Sequence, residues 1–265
     1  MPNARTHART HASSDVTSSP PVGAIAASAT TSSPQVVSKQ RVADHGEVYT
    51  NPREVNAMLD LVKHETERVD SRFLEPACGT GNFLVEILNR KLAVVEARYK
   101  KSQFEFERYA VIAVSSIYGI DILADNVAAC QARLFDVFDA VYTRLYKNKC
   151  LDTCRQAVRF ILSRNILHGN ALPKDTIHLK IDSTNAKPFD ELIFSEWSAV
   201  NGSQIKRRDF VYAHLVDKAS ERELPLFSDL GEEAFIPEPV KDYPLVHFLD
   251  IAKTFGEIAQ EVGNV

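Results

Sequence analysis

The stretch Phe73 to Leu88, FLEPACGTGNFLVEIL, limits what this chain can fold into more than any other part of it. SRFLEP reads as a buried strand, Pro76 and Gly79 break it, and Asn82 opens a helix that continues through FLVEILNRKLAVVEARY. Gly79 and Gly81 permit a tight turn and a close approach of the backbone to a ligand. The order is strand, tight turn, helix.

The alternation continues on both sides of this unit. Pro52 to Val62 places Val55, Met58, Leu59 and Val62 on one face at helical spacing, behind a proline start. Helices are predicted over Phe104 to Val114, Asn126 to Tyr146 and Ala157 to Ser163. Strands are predicted over Ser116 to Ile122 and Phe189 to Phe194, and a strand and turn over Asn165 to Leu172. Such alternation implies α/β architecture: a doubly wound, mostly parallel sheet with helices on both faces. KRRDFVYAHLV is compatible with an antiparallel strand pair or with a strand and a helix. Leu224 to Pro244 reads as an extended strap, and Val246 to Val262 as an amphipathic helix carrying Phe248, Ile251, Phe255 and Ile258 on one stripe.

The chain has 265 residues, 45% hydrophobic and 25% charged, an ordinary globular balance with room for one sizeable core. The net charge of -4 offers no global attraction to a polyanion, so nucleic acid would need a local basic patch. No apolar run is long enough for a membrane span. The four cysteines, Cys78, Cys130, Cys150 and Cys154, are irregularly spaced, which suits a reducing compartment, by default the cytoplasm. Residues 1–40 are rich in Ser, Thr, Ala and Pro and read as a disordered tail; Arg5 and Arg9 leave a transit peptide open, without amphipathic periodicity to support it. The expected partition is this tail, a ligand-binding domain over 41–222, and a C-terminal strap and helix over 223–265.

In open α/β sheets ligands sit beyond the carboxyl ends of the strands, so the turn at 76–82 is the place to look. A dinucleotide turn carries a third glycine where this chain has Leu84, and a Walker loop would continue with Gly-Lys-Ser/Thr, which does not follow. Glu75 would repel a pyrophosphate but suits a cationic or amine-bearing ligand. Asp121, ending the next strand, can accept ribose hydroxyls; its alternative role is to cap the following helix, which Asp125 or Asn126 could also do. Together these point to S-adenosylmethionine, with a nucleotide-dependent oxidoreductase as the rival that Glu75 and Leu84 disfavour.

EPACGTGNF resembles the cofactor motif of the adenine-specific DNA methyltransferases of restriction-modification systems, D/E-P-A-C-G-T/S-G-N/G-F, over Glu75 to Phe83. The segment EVYTNPREVNAML resembles the one that precedes that motif: Tyr49 and Thr50 match a Tyr-Thr-Pro turn, and Asn51 separates them from Pro52. YGIDI resembles the acidic strand end, giving Asp121 the ribose. HGNAL resembles the turn that contacts the cofactor's adenine, with Asn170 in place of the usual Asp. The resemblance spans Glu47 to Phe194. It implies a class I, Rossmann-like methyltransferase domain, S-adenosylmethionine held by Tyr49, Thr50, Glu75, Ala77, Gly79, Gly81, Asn82, Asp121 and Asn170, and methylation of an adenine amine in DNA, in a restriction-modification or phage-defence setting.

That family also carries a D/N/S-P-P-Y/F/W turn after the fourth strand, whose polar groups accept the amine hydrogens and whose ring stacks on a flipped base. Aligned on FDELIF, the turn falls on Ser195, Glu196, Trp197 and Ser198, without either proline. Three readings follow: an active enzyme in which Ser195 or Glu196 accepts from the amine and Trp197 stacks; a cofactor-binding subunit completed by a specificity, restriction or other partner chain; or a relative that binds without transferring methyl. A core role is the alternative for Trp197. Lys206, Arg207 and Arg208 are the best local patch for a DNA backbone, or else a solvated charge run. Cys150 and Cys154 with His168 make a poor zinc signal, so no metal is expected, and Cys78 is assigned to packing.

Overall fold

The structure, a computed structural model, describes residues 50–172, 186–221 and 238–256. The expected tail, Tyr49, most of the strap and the end of the last helix, including Ile258, lie outside these residues.

Helix α1 (Pro52–Asp60) starts where Asn51 accepts the N–H of Arg53 at 2.9 Å, with proline at the first helical position, and the short α2 (Lys63–Thr66) follows. Strand β1 (Phe73–Glu75) leads through the glycine turn into α3 (Asn82–Tyr99). Ser102 caps α4 (Gln103–Ser115), which feeds β2 (Ile117–Asp121). Helix α5 (Ala124–Tyr146), helix α6 (Asp152–Asn165) and β3 (Ile166–His168) complete the first half. Element types agree with the sequence reading here. The longest departure is α6, which starts five residues before Ala157 because its buried face already includes Cys154.

The parallel sheet has the order β1-β2-β3, with Glu75 opposite Gly119 and Asp121 opposite His168. All five residues of β2 are buried, which requires cover on both faces. Ile117 faces the larger core with Leu84, Leu88, Ala110 and Ile161. Tyr118 and Ile120 point the other way, into a smaller cluster with Phe189, Leu192, Phe194 and Tyr212.

That second cluster comes from the part of the chain where the described strands pair antiparallel rather than extending the parallel sheet. Phe189–Glu191 forms a turn of 3-10 helix rather than the start of a strand, and β4 (Ile193–Ala199) pairs antiparallel with β5 (Gln204–Val211), not with the parallel sheet. The hairpin turns at Gly202, whose φ is +59°. Burial alternates along β5 from Gln204 to Asp209, while in β4 Phe194, Ser195 and Trp197 are buried, and such a pair is satisfied by its own ladder. The mixed α/β class holds, and among the described residues the strands form a three-stranded parallel sheet and a separate antiparallel sheet.

KRRDFVYAHLV resolves into the end of β5 followed by α7 (Tyr212–Glu221). Short strands β6 (Lys241–Asp242) and β7 (Val246–His247) pair with β5, so residue 246 begins a strand and helix α8 covers 251–256. Ile251 and Phe255 are buried on α8, as their stripe predicts, and Phe248 is buried in the turn before it rather than on the helix.

One buried charge tethers the entry to β1. Lys91 Nζ donates to the carbonyls of Arg68 and Val69, both at 3.1 Å, to that of Ser71, and to Ser116 Oγ at 2.7 Å. Burial pushes its pKa down to about 7. Among the described residues, no helix is long and apolar enough to cross a membrane.

Candidate functional site

The strand register places Glu75, Asp121 and His168 at the same end of the parallel sheet, and the turn at 76–82 folds over that end. Pro76 and Ala77 are exposed, while Cys78 and Gly81 are buried. Cys78 N–H donates to Ile120 O at 2.9 Å, and Gly81 N–H donates to Cys78 O at 2.8 Å. Both glycines need positive φ, +51° at Gly79 and +85° at Gly81. At Gly81 a side chain is also excluded by contact: a Cβ there would lie 2.6 Å from Cys130 Sγ.

Asp121 is the brace under the turn. Its Oδ2 accepts from Gly79 N–H at 2.8 Å; its Oδ1 accepts from Leu123 N–H at 2.9 Å and Asn126 Nδ2 at 3.2 Å. The helix-capping alternative is therefore partly realised, since two of these bonds order the start of α5. A carboxylate has about four acceptor sites. Three are engaged among the described residues, leaving one on Oδ2.

Glu75 is the opposite case. It is half-buried, forms no hydrogen bond or ion pair among the described residues, and burial raises its pKa. The first-turn amides of α3 lie just beyond the turn, behind an N-cap glycine with no side-chain cap and with no acid in the first turn. A carboxylate and a helix N-terminus thus flank one short segment.

Asn82 joins three parts of the site. Its Nδ2 reaches Thr50 O at 3.4 Å, and its Oδ1 accepts from Arg133 at 2.9 Å. Arg133, on α5, also donates to Thr80 O at 2.6 Å and Thr80 Oγ1 at 3.0 Å. Sequence reasoning passed over Arg133 and Cys130. Their spacing of three on one helix, in phase with buried Val127, was the available signal. Asn170 follows β3 at the same sheet end, where its Oδ1 accepts from Leu172 N–H at 3.0 Å. The Cys78 thiol is pushed well up by its neighbour Cys130 and by burial, which suits packing rather than nucleophilic work.

The residues aligned with the amine-binding turn do not form a turn. Ser195, Glu196 and Trp197 lie inside β4, with Asp209, Arg208 and Arg207 opposite them. Ser195 Oγ donates to Asp209 at 2.7 Å, and Glu196 binds Arg208 at 2.9 Å and also Arg72. Trp197 is 6% exposed, meets Phe160 and Phe255 edge-on or tilted, and donates its Nε1–H to Asn165 Oδ1 at 2.9 Å. This placement agrees with the core role weighed for Trp197: strand alternation points it into the core.

The basic run is likewise not an open patch. Lys206 pairs with Asp242 and Arg208 with Glu196, while Arg207, on the other face of β5, is buried on Asp209 at 2.9 Å.

Among comparisons with known proteins, a family model described as MmeI, DNA-methyltransferase domain, matches residues 50–193, just over half of the chain. No curated protein and no solved structure matches significantly.

Proposed function

The chain belongs to the MmeI DNA-methyltransferase domain family, a family of restriction-modification DNA methyltransferases, and from that premise we propose that it binds S-adenosylmethionine at the turn 76–82 and serves methyl transfer to the exocyclic amine of adenine in DNA. The observation that carries this reading is the half-buried carboxylate of Glu75, without a partner among the described residues, beside a paired-glycine turn braced by Asp121. An ionised carboxyl in that position favours a cation, and the bound cofactor would bring an amino group and a sulfonium. The first-turn amides of α3 suit its carboxylate. The open acceptor site on Asp121 Oδ2 fits one ribose hydroxyl rather than two.

S-adenosylmethionine supplies an electrophilic methyl group. The residues of this chain bind and orient: Glu75 for the cationic end, Asp121 for the ribose, and Ala77, Gly79 and Gly81 as a backbone surface without side-chain obstruction. Asn82 ties Thr50 to this surface, and Asn170 lies where the cofactor's adenine would be met. Tyr49, expected at the methionine end, falls outside the described residues.

A second reading is favoured by the state of β4. Ser195 Oγ accepts from Arg207 Nε at 3.0 Å, Glu196 is paired with Arg208 and Arg72, and Trp197 is packed in the core, so the groups that activate the amine would come from a partner chain. Tritiated methyl transfer from S-adenosylmethionine to unmethylated DNA separates the two. Label recovered as N6-methyladenine supports the enzyme. Cofactor binding without incorporation, restored by a partner subunit, supports the incomplete one; absence of cofactor binding rejects both.

A further inference from the structure

A second recess lies away from the glycine turn, between β3, the end of α6 and the antiparallel sheet. It encloses about 610 Å³ and is lined by Arg164, His168, Lys187, Arg207, Lys241 and Tyr243, among others. Pockets that hold small organic ligands commonly fall in about this size range. Its electrostatics are one-sided. Among the described lining residues Asp209 is the one carboxylate, and it is spent: it binds Arg207 at 2.9 Å, accepts from Tyr243 OH at 3.0 Å, and accepts from Ser195 Oγ at 2.7 Å. Arg164, Lys187 and Lys241 have no ion-pair partner among the described residues.

Arg164 carries a sharper signal. Its Nε is buried and has no hydrogen-bond acceptor, alone in this respect among the buried side-chain nitrogen and oxygen atoms of the described residues. A buried donor loses its water on folding, and without an acceptor nothing offsets that loss. The guanidinium also lies over the Phe160 ring, 5.2 Å from its centroid. A planar guanidinium with a free N–H is shaped for two oxygens of a tetrahedral anion, and two lysines at the same recess add charge without further geometry.

We propose that this recess binds a phosphoryl group, held by Arg164, Lys187 and Lys241, with Tyr243 and His168 beside whatever the phosphate is attached to. The inference does not rest on methyl transfer or on cofactor binding at the glycine turn. Two sources share the chemistry: a free mononucleotide and a backbone phosphate of nucleic acid.

The full chain is titrated separately with adenosine monophosphate, inorganic phosphate and a short DNA duplex, at fixed salt. The readouts are calorimetry and the fluorescence of Trp197, the single tryptophan, 5.7 Å from the Arg207 guanidinium. The variants are Arg164→Gln and, because Arg164 also packs, the exposed Lys187→Ala and Lys241→Ala. Binding of the mononucleotide or phosphate, weakened about tenfold or more by each variant, supports the proposal with a free ligand as source. Binding of the duplex alone, weakened in the same way, supports it with nucleic acid as source. If no probe binds, or if the three variants bind every probe as the parent does, the proposal is overturned. Unchanged S-adenosylmethionine affinity in these variants shows that the two sites are distinct.

Discussion

Asp121 Oδ2 accepts the backbone N–H of Gly79 at 2.8 Å, linking the end of β2 to the turn that leaves β1. The bond sets the shape of the turn before any ligand arrives, and it uses one of the two acceptor directions of that oxygen. Pre-forming the turn lowers the ordering cost of binding. The same carboxylate can then do two jobs, holding the backbone and offering one remaining site.

The two glycines of that turn are predicted to differ. Gly79→Ala meets open space but must hold φ at +51°, a cost of about 1–2 kcal/mol. Gly81→Ala adds a 2.6 Å contact with Cys130 Sγ to a φ of +85°, for about 2–5 kcal/mol. Urea denaturation ranks them, and Cys130→Ala should restore part of the loss in the Gly81 variant only. Equal costs would contradict the packing described.

Arg133→Met removes three hydrogen bonds that clamp Thr80 and Asn82 from α5. The expected result is a modest loss of stability, about 1–2 kcal/mol, with a roughly tenfold loss of S-adenosylmethionine affinity because the turn is no longer held in place. Calorimetry at matched temperature checks it; unchanged affinity would mean that the clamp is structural alone.

Glu75 carries a pH signature. Burial raises its pKa above the ordinary 4.5, so its neutral form suits the fold better than its ionised form. The associated stability is present below pH 4.5 and is lost as pH rises through the raised value. Glu75→Gln should therefore melt slightly higher than the parent at neutral pH, by under about 1 kcal/mol given its partial solvation, and should bind cofactor more weakly. A variant that is less stable at pH 7 and binds equally well would refute the role assigned to this carboxylate.

Trp197 is predicted to act through packing. Trp197→Phe keeps an aromatic ring but loses part of the indole volume and the bond to Asn165, for about 1–3 kcal/mol; Trp197→Ala should cost about 3–5 kcal/mol. Cofactor affinity of the Phe variant should equal the parent's in folded protein. Loss of methyl transfer from a fully stable Phe variant would instead argue for stacking.

Much of the first half was legible in the sequence, because local signals and tertiary structure agree there. FLEPACGTGNFLVEIL gives a strand, a turn of two positive-φ glycines and a long helix, and the acid of YGIDI ends β2 beside it. The second half was not legible in the same way. An apolar segment such as FDELIF fits a parallel or an antiparallel partner equally, and the choice was made by β5, whose alternation is masked by its basic run. Arg207 illustrates the limit: its neighbours Lys206 and Arg208 suggest a solvated face, yet strand alternation buries it against Asp209 and Tyr243. The committed state of Asp121 was equally out of reach, since it depends on which backbone amides the turn presents.

The most direct measurement is calorimetric titration of the full chain with S-adenosylmethionine, beside a nicotinamide dinucleotide, for the parent and for Asp121→Asn. The account predicts saturable binding of S-adenosylmethionine alone, weakened by about 1–3 kcal/mol in the variant. Tight dinucleotide binding without S-adenosylmethionine binding, or an S-adenosylmethionine affinity that the variant leaves unchanged, would contradict it.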